Sequence, residues 1–358
     1  MSPSPADFLE LRRLTSMLSE VTRAHLMRSG LELGLFAALA EPVRETQLIE
    51  RLGLAPELAA AWLRAADAHG LIDRCSEPSD AYRTSRHVRW LLESPDSESL
   101  IALLDQSLLT YAPQFDALPG LIRGGNRPTF RGGPPAQRAA AIARLLEPRA
   151  LEVLSKVPGV HDARSVLDIG CGYGTYLSGL LCRYRDAHGV GVEIDPDVGE
   201  LARQQLIDAG VSRRAEIRIG DFMEIGLEVG TFDLALLNNN LYYFPPDRHY
   251  ELLTRAHRKL AVGGVIAIQV PIATSRFLPR VAGLTRTTTA LDLFLRSHAN
   301  LYGLPDLAPL HDTLREAGFG DIGEVNILPG GSFRYVWARK SALDRPEGDP
   351  RIGSPDAP

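Results

Sequence analysis

Cysteine is nearly absent from this chain of 358 residues, with only Cys75, Cys171 and Cys182 present. Three thiols with no C-x-x-C spacing argue against a disulfide framework and a structural zinc site. No metal is therefore expected, and a reducing compartment is. Long apolar runs are missing too. A membrane span needs about 18 consecutive apolar residues, and no such run exists, so no membrane partner is expected. The first residues, MSPSPADFLELRR, lack the basic-then-apolar layout of a secretory leader, and a cytoplasmic location is expected. Lysine occurs only as Lys156, Lys259 and Lys340. With a net charge of −5 there is no global attraction for nucleic acid. No repeat recurs along the chain. What remains is ordinary globular composition, 45% apolar and 23% charged, which excludes wholesale disorder.

Periodicity divides the chain. Residues 1–105 read as a mainly helical domain. Phe8, Leu11, Leu14, Leu18 and Val21 fall on one face of a helix. HLMRSGLELGLFAALAE continues in helical register. ETQLIERLG and LAPELAAAWLRAADAHG form two short helices around Gly53, with Gly70 as a stop, and LIDRC and AYRTS follow as short strands. Helix, turn, helix and hairpin make a winged-helix pattern. Residues 106–160 are helical and interrupted by a loop from Gly124 to Pro135, after which AQRAAAIARLLEPRALEVLSKV reads as a long helix. From 161 to 340 short apolar runs alternate with helices: SVLDIG, GVGVEI, AEIRIGDF, FDLALLNN and GGVIAIQV. Runs rich in Val, Ile and Leu, bounded by Gly or Asp, suit strands buried on both faces of a parallel sheet, so the expected class is doubly wound α/β. Residues 341–358 are expected to be a disordered tail.

The clearest chemical signal is Val166-Leu167-Asp168-Ile169-Gly170-Cys171-Gly172-Tyr173-Gly174-Thr175. A strand ends in a glycine-rich turn and a helix begins. Glycine tolerates positive φ and lets a ligand approach the backbone, and ligands of open α/β sheets bind at the carboxyl ends of strands. The G-x-G-x-G spacing differs from the G-x-G-x-x-G of dinucleotide folds, which disfavours NAD. The next strand ends in Glu193, a carboxylate able to accept from two ribose hydroxyls, followed by Ile194, an apolar surface for adenine. The third ends at Asp221 and Phe222, an acceptor for the adenine amine and a ring to wall the base. The fourth ends in Asn238-Asn239-Asn240. Alternatively, Asp168, Glu193 and Asp221 only cap turns and helices.

VLDIGCGYG, GVEIDP, GDF, FDLALLNN and LLTRAHRKLAVGGVIAI together resemble the class I S-adenosylmethionine (SAM)-dependent methyltransferases, over about residues 160–340. The resemblance implies a Rossmann-like seven-stranded sheet whose last strand, SFRYVWARK, runs antiparallel, with SAM as cofactor. It implies that Asp168 and Gly170, in the turn with Gly172 and Gly174, lie near the methionine part. Glu193 would bind ribose, Asp221 with Phe222 adenine, and the Asn238 carbonyl the amino-acid portion. LELGLFAALAE, TQLIERLGLAPELAAAWLRAADAHGLI and YRTS resemble the pairing domain of small-molecule O-methyltransferases of the hydroxyindole, caffeate and antibiotic-tailoring group. In that family the winged helix builds a homodimer and does not read DNA. Residues 1–105 agree, carrying eleven arginines against sixteen acidic residues.

Many of these relatives place a catalytic histidine just after the fourth strand. Here the segment reads Asn240-Leu241-Tyr242-Tyr243-Phe244, and Tyr242 takes that position. Tyrosine, with an ordinary pKa near 10, is a poor base at neutral pH. Tyr242 is therefore expected to position the acceptor or to line the sulfonium; a packed aromatic is the plainer alternative. His298 is the other catalytic candidate, against a packing role. Tyr111, Asn239 and Tyr243 are candidate acceptor contacts, Tyr111 having interdomain core as its alternative. Arg276, Arg280 and Arg286 form a loose basic set, read as solvated unless the acceptor is acidic. The expected activity is methyl transfer to an O, N or C atom of a small molecule in specialised metabolism, driven by orientation. The alternatives are a SAM-binding enzyme of the same fold with decarboxylase- or hydroxylase-like chemistry, or a winged-helix regulator.

Overall fold

The computed structural model describes residues 5–130, 133–272, 284–328 and 333–341. The expected tail beyond residue 341, and Arg276 and Arg280 of the loose basic set, lie outside them. The chain falls into two compact units: Met1–Asp116 with Gly132–Leu145, and Ala117–Arg131 with Leu146–Pro358.

The first unit begins with a helix over Pro5–Glu32. The helical register does not run on through LELGLFAALAE. Gly34 adopts φ 68°, and a new turn of helix, Leu35–Ala38, starts after it. Strand β1 (Val43–Arg44) leads into helices Glu45–Leu52 and Pro56–Ala68, then β2 (Ile72–Arg74) and β3 (Ala81–Thr84). Gly53 and Gly70 both stand at positive φ where these helices stop, the conformation that favours glycine there. The three strands form an antiparallel sheet in the order β1-β3-β2; β1 was not legible in the sequence. Leu35, Phe36, Leu39, Leu48, Leu63, Ile72, Tyr82 and Val88 make the core. The Trp62 indole N–H donates to Ser29 Oγ at 2.9 Å, and the buried Thr84 hydroxyl donates to the Phe36 carbonyl at 2.7 Å. Phe8, Leu11, Leu14, Leu18 and Val21 each keep between 51% and 58% of their surface exposed. The expected apolar face therefore forms but is not covered within one chain.

The second unit is built on β4 (Ser165–Ile169), β5 (His188–Glu193), β6 (Ala215–Ile219), β7 (Phe232–Asn238), β8 (Leu260–Pro271), β9 (Phe319–Asn326) and β10 (Phe333–Lys340). Their order is β6-β5-β4-β7-β8-β10-β9. Strands β4 to β8 are mutually parallel, and β10 runs antiparallel to β8 and β9. This is the expected doubly wound seven-stranded sheet with its last strand reversed. Helices Thr175–Arg183 and Pro196–Asp208 contribute Leu177, Leu180, Ala202 and Leu206 to the core on one face. Helices His249–Lys259 and Leu307–Glu316 contribute Leu252, Leu253, Ala256, Leu310 and Leu314 to the other. Covered on both sides, β4 is buried at all five positions, three of them the apolar Val166, Leu167 and Ile169 and two the polar Ser165 and Asp168. Strand order reverses at β4, between β5 and β7, and opens a crevice at the carboxyl ends there.

Candidate functional site

The glycine turn after β4 is held by backbone bonds to its neighbours. The Cys171 N–H donates to the Val192 carbonyl (3.0 Å), and the Gly174 N–H to that of Cys171 (2.9 Å). Gly170, Gly172 and Gly174 stand at φ 65°, 53° and 71°. A methyl group at Gly170 would fall 1.6 Å from Asn240 Nδ2, whereas at Gly172 it would meet nothing within 4 Å. Gly172 therefore faces open space, and Gly170 is closed by Asn240, whose amide donates to the Ile169 carbonyl at 3.1 Å.

Glu193, at the end of β5, spans this turn. Its Oε2 accepts from the Gly172 N–H (2.9 Å) and its Oε1 from the Asp195 N–H (3.0 Å). Each oxygen keeps a further lone pair, so the carboxylate organises the loop without being used up. Helix capping falls to Asp195, whose Oδ1 accepts from the Asp197 and Val198 N–H groups. Ile194 follows, 66% exposed. Beyond β6, Asp221 Oδ1 accepts from the Met223 N–H at 2.8 Å, which fixes the turn and leaves Oδ2. Phe222 is buried in the core, with the Arg255 guanidinium 5.6 Å from its ring centroid. Arg255 also donates to the Phe222 and Ile225 carbonyls, pinning this turn.

Asp168 differs from the other two carboxylates. It is 1% exposed, and neither of its oxygens has a hydrogen-bond partner among the described residues. Burial, with the Glu193 charge adding to it, pushes the carboxyl up to about 7. The capping alternative thus accounts for part of what Glu193 and Asp221 do and for nothing at Asp168.

At the end of β7, the Asn238 side-chain amide has no partner among the described residues. Asn239 sits at φ 50°, rare for a residue other than glycine, and its N–H donates to the Gln269 carbonyl (3.0 Å). Tyr242 and Tyr243 follow with ring centroids 5.2 Å apart, Tyr243 being exposed. The Tyr242 carbonyl accepts from the Tyr302 N–H at 2.8 Å, which joins this segment to the one carrying His298.

His298 is buried at the end of helix Leu284–Arg296. Its Nδ1 lies 2.9 Å from the Phe294 carbonyl. A carbonyl only accepts, so Nδ1 carries the proton and Nε2 holds the lone pair in the neutral ring. Phe130 stands edge-on to His298 and to Phe294. Asn300 bonds reciprocally with the Phe130 N–H (2.7 Å) and carbonyl (3.0 Å), and Ala299 N–H donates to the Pro128 carbonyl. This strap was not foreseen, since nothing local in NRPTF marks a partner 170 residues away. Arg286 falls in the helix that precedes His298, and its side chain lies outside the described ones. Tyr111 belongs to the first unit, at the end of a π-helical turn (Gln106–Tyr111). It stacks on Phe115 at 5.6 Å, and burial raises its pKa, a hydrogen bond with Gln106 opposing.

A model of the methyltransferase domain matches residues 166–264, which contain the glycine turn, Glu193 and Asp221. The trans-aconitate 2-methyltransferase of Deinococcus radiodurans is 31% identical over 191 residues, 50% of this chain and 69% of that protein. This chain belongs to the class I SAM-dependent methyltransferases. The methyltransferase is also similar over its whole length to solved structures. Mitomycin 7-O-methyltransferase MmcR superposes with a TM-score of 0.76 at 20% identity, over 94% of this chain and 99% of that one. Human N-acetylserotonin methyltransferase, in complex with SAM, gives 0.69 at 20% identity, over 95% and 99%. These likenesses carry the fold. A second bacterial trans-aconitate 2-methyltransferase, from Methylobacterium nodulans, matches over only 50% of its own length.

The residues present fit SAM as the methyltransferase cofactor. A sealed, unpartnered carboxyl suits a cationic group, the open side of Gly172 leaves room against the backbone, and carboxylates stand at three adjacent strand ends. No group of three or more His, Cys, Asp or Glu side chains able to hold a metal occurs among the described residues, and no described helix is long and apolar enough to cross a membrane.

Proposed function

We propose that this methyltransferase moves the methyl group of SAM to a small-molecule acceptor in specialised metabolism. The observation that carries the reading is the set of Asp168, Glu193 and Asp221 at the ends of β4, β5 and β6 around an open glycine turn. Glu193 takes the ribose hydroxyls on its remaining lone pairs. Asp221 takes the adenine amine, with Ile194 against the base; Phe222, expected to wall the ring, is buried in the core and serves to hold the turn. Asp168, Gly170 and the Asn238 carbonyl take the amino-acid end, with Gly172 and Gly174 shaping the turn. When bound, SAM supplies an electrophilic methyl on a cationic sulfur that leaves as a neutral thioether.

The chain's own contribution is orientation, worth roughly 7–11 kcal/mol in favourable cases. Tyr242 positions the acceptor, and Asn239 and Tyr243 contact it. An acceptor role for Tyr111 rests on the resemblance alone. An acceptor that is already nucleophilic, such as a carboxylate or an amine, needs nothing more. A second reading is favoured by the His298 tautomer: Nε2 is the free base and accepts the proton of a hydroxyl acceptor. The mitomycin 7-O-methyltransferase MmcR and the trans-aconitate methyltransferases, one named for an oxygen and the other for a carboxylate acceptor, agree with a small-molecule acceptor.

The uncovered apolar stripe of helix Pro5–Glu32 supports a homodimer through a winged-helix N-terminal domain. The acidic balance of residues 1–105 speaks against nucleic acid. The test is transfer of labelled methyl from SAM to a panel of carboxylate, amine and phenol acceptors. Calorimetric binding of S-adenosylhomocysteine (SAH) without transfer to any class would favour non-methylating chemistry. A folded protein that binds neither SAM nor SAH would remove the reading altogether.

A further inference from the structure

Asp168 stands on a sheet face that turns polar at its carboxyl end. Residues in register point the same way, and the register sets Asp168 beside Gly191 and Leu236, Asn238 beside Gln269, and Gln269 beside Tyr335. Gln269 and Tyr335 are fully buried, and the Tyr335 hydroxyl donates to Gln269 Oε1 at 3.3 Å. The Asp168 oxygens and the Asn238 amide are left without partners among the described residues, while the Gln269 side chain also faces the Tyr176 hydroxyl. The titratable groups that act on or feel Asp168 are Glu193 on β5, Cys171 in the turn, Tyr176 on the following helix and Tyr335 on β10; Glu147 of helix Pro134–Leu154 acts on the two tyrosines. None of them is a cation. A carboxyl sealed from water beside a second carboxylate, with no positive partner, favours its neutral form.

We propose that Asp168 is a proton-linked receptor for the α-ammonium of the bound ligand: neutral when the site is free, and ionised when the ammonium docks against it. The O–H bond of the carboxyl breaks, the proton passes to solvent and an ammonium–carboxylate pair replaces it, with no redox change. This deepens the SAM reading above and rests on it. Ligand affinity therefore rises with pH across the range in which the free carboxyl titrates. The amino-acid end, not the nucleoside, is the pH-sensitive part of the ligand. Because the ammonium is common to donor and product, SAM and SAH both release the proton.

The test is titration calorimetry of the full chain with SAH at several pH values, each in buffers of different ionisation enthalpy. About one proton per SAH should leave at pH 6 and about half a proton at pH 7, with affinity roughly tenfold higher at pH 8 than at pH 6. Asp168→Asn should bind more weakly, release no proton and show a flat pH dependence. A desamino analogue of SAH should bind weakly or not at all, and without proton release. SAH binding with no proton released at pH 6, or equal release by the desamino analogue or by D168N, overturns the linkage while leaving the SAM reading intact. Failure of SAH to bind folded wild-type protein overturns both. The wild-type buffer series stands even if D168N does not fold.

Discussion

A buried carboxyl that lacks a partner carries a cost in the folded state. The Asp168 pKa moves from 3.8 to about 7, so the folded protein keeps a proton that the unfolded chain loses between those values. Ligand-free stability should therefore fall as pH rises from about 4 to about 7, and the full penalty applies above the folded pKa. Asp168→Asn removes the charge, and ligand-free unfolding in urea should show it stabilised at pH 8, on the order of a few kcal/mol. The difference from wild type should be much smaller near pH 4. A variant both more stable and a poorer binder marks a group retained for function. Gly172 makes the complementary case. Alanine there accepts φ 53° at a strain of about 1–2 kcal/mol and meets no protein atom, but its methyl stands in the space left for the ligand. Gly172→Ala should stay folded in a thermal scan and lose at least about tenfold in SAH affinity, a factor equal to roughly 1.4 kcal/mol. Gly170→Ala should instead disturb the turn, because Asn240 must move.

Among the elements, helix Pro5–Glu32 forms where its three-to-four spacing places it, yet its apolar side lies bare. Leu14→Glu with Leu18→Glu should shift a dimer to monomer in sedimentation velocity while SAH binding in the second unit persists. A wild-type monomer would remove the dimer reading. The strap at Phe130 and the loop at Asn300 hold the segment after helix Leu284–Arg296. Asn300→Ala leaves two backbone groups unpaired, each bond being worth about 1 kcal/mol, and should loosen His298. If His298 is the base for a hydroxyl acceptor, His298→Gln should lower kcat by about 10²–10⁴ with the KM for SAM unchanged. Loss confined to KM for the acceptor would make it a contact only. The glycine turn and the strands around it were legible as elements because their signals are local: alternation, punctuating glycines and acidic strand ends. The strap, β1 and the break at Gly34 were not, because each depends on a partner distant in sequence or on a single backbone conformation.

At the scale of the whole molecule, ligand binding and stability are linked. SAH at one hundred times its dissociation constant should stabilise the folded chain by about 2.7 kcal/mol, seen as a rise in Tm. With its net charge of −5, the protein should show no retardation of duplex DNA at low salt.

Composition and periodicity by themselves determined the class of fold, its five parallel strands and the acidic residues at the ends of the first three, because these follow from local spacing and from the need to bury apolar faces; β9 was not read from them, and the reversed last strand came from the family resemblance. The tertiary structure alone decided what each carboxylate does. Glu193 and Asp221 are drawn into backbone hydrogen bonds, while Asp168 is closed off without a partner beside Gln269, Tyr335 and a second acid. The sequence spells all three with the same chemistry. Their difference lies in burial and in neighbours brought from β5, β8 and β10, which only folding supplies.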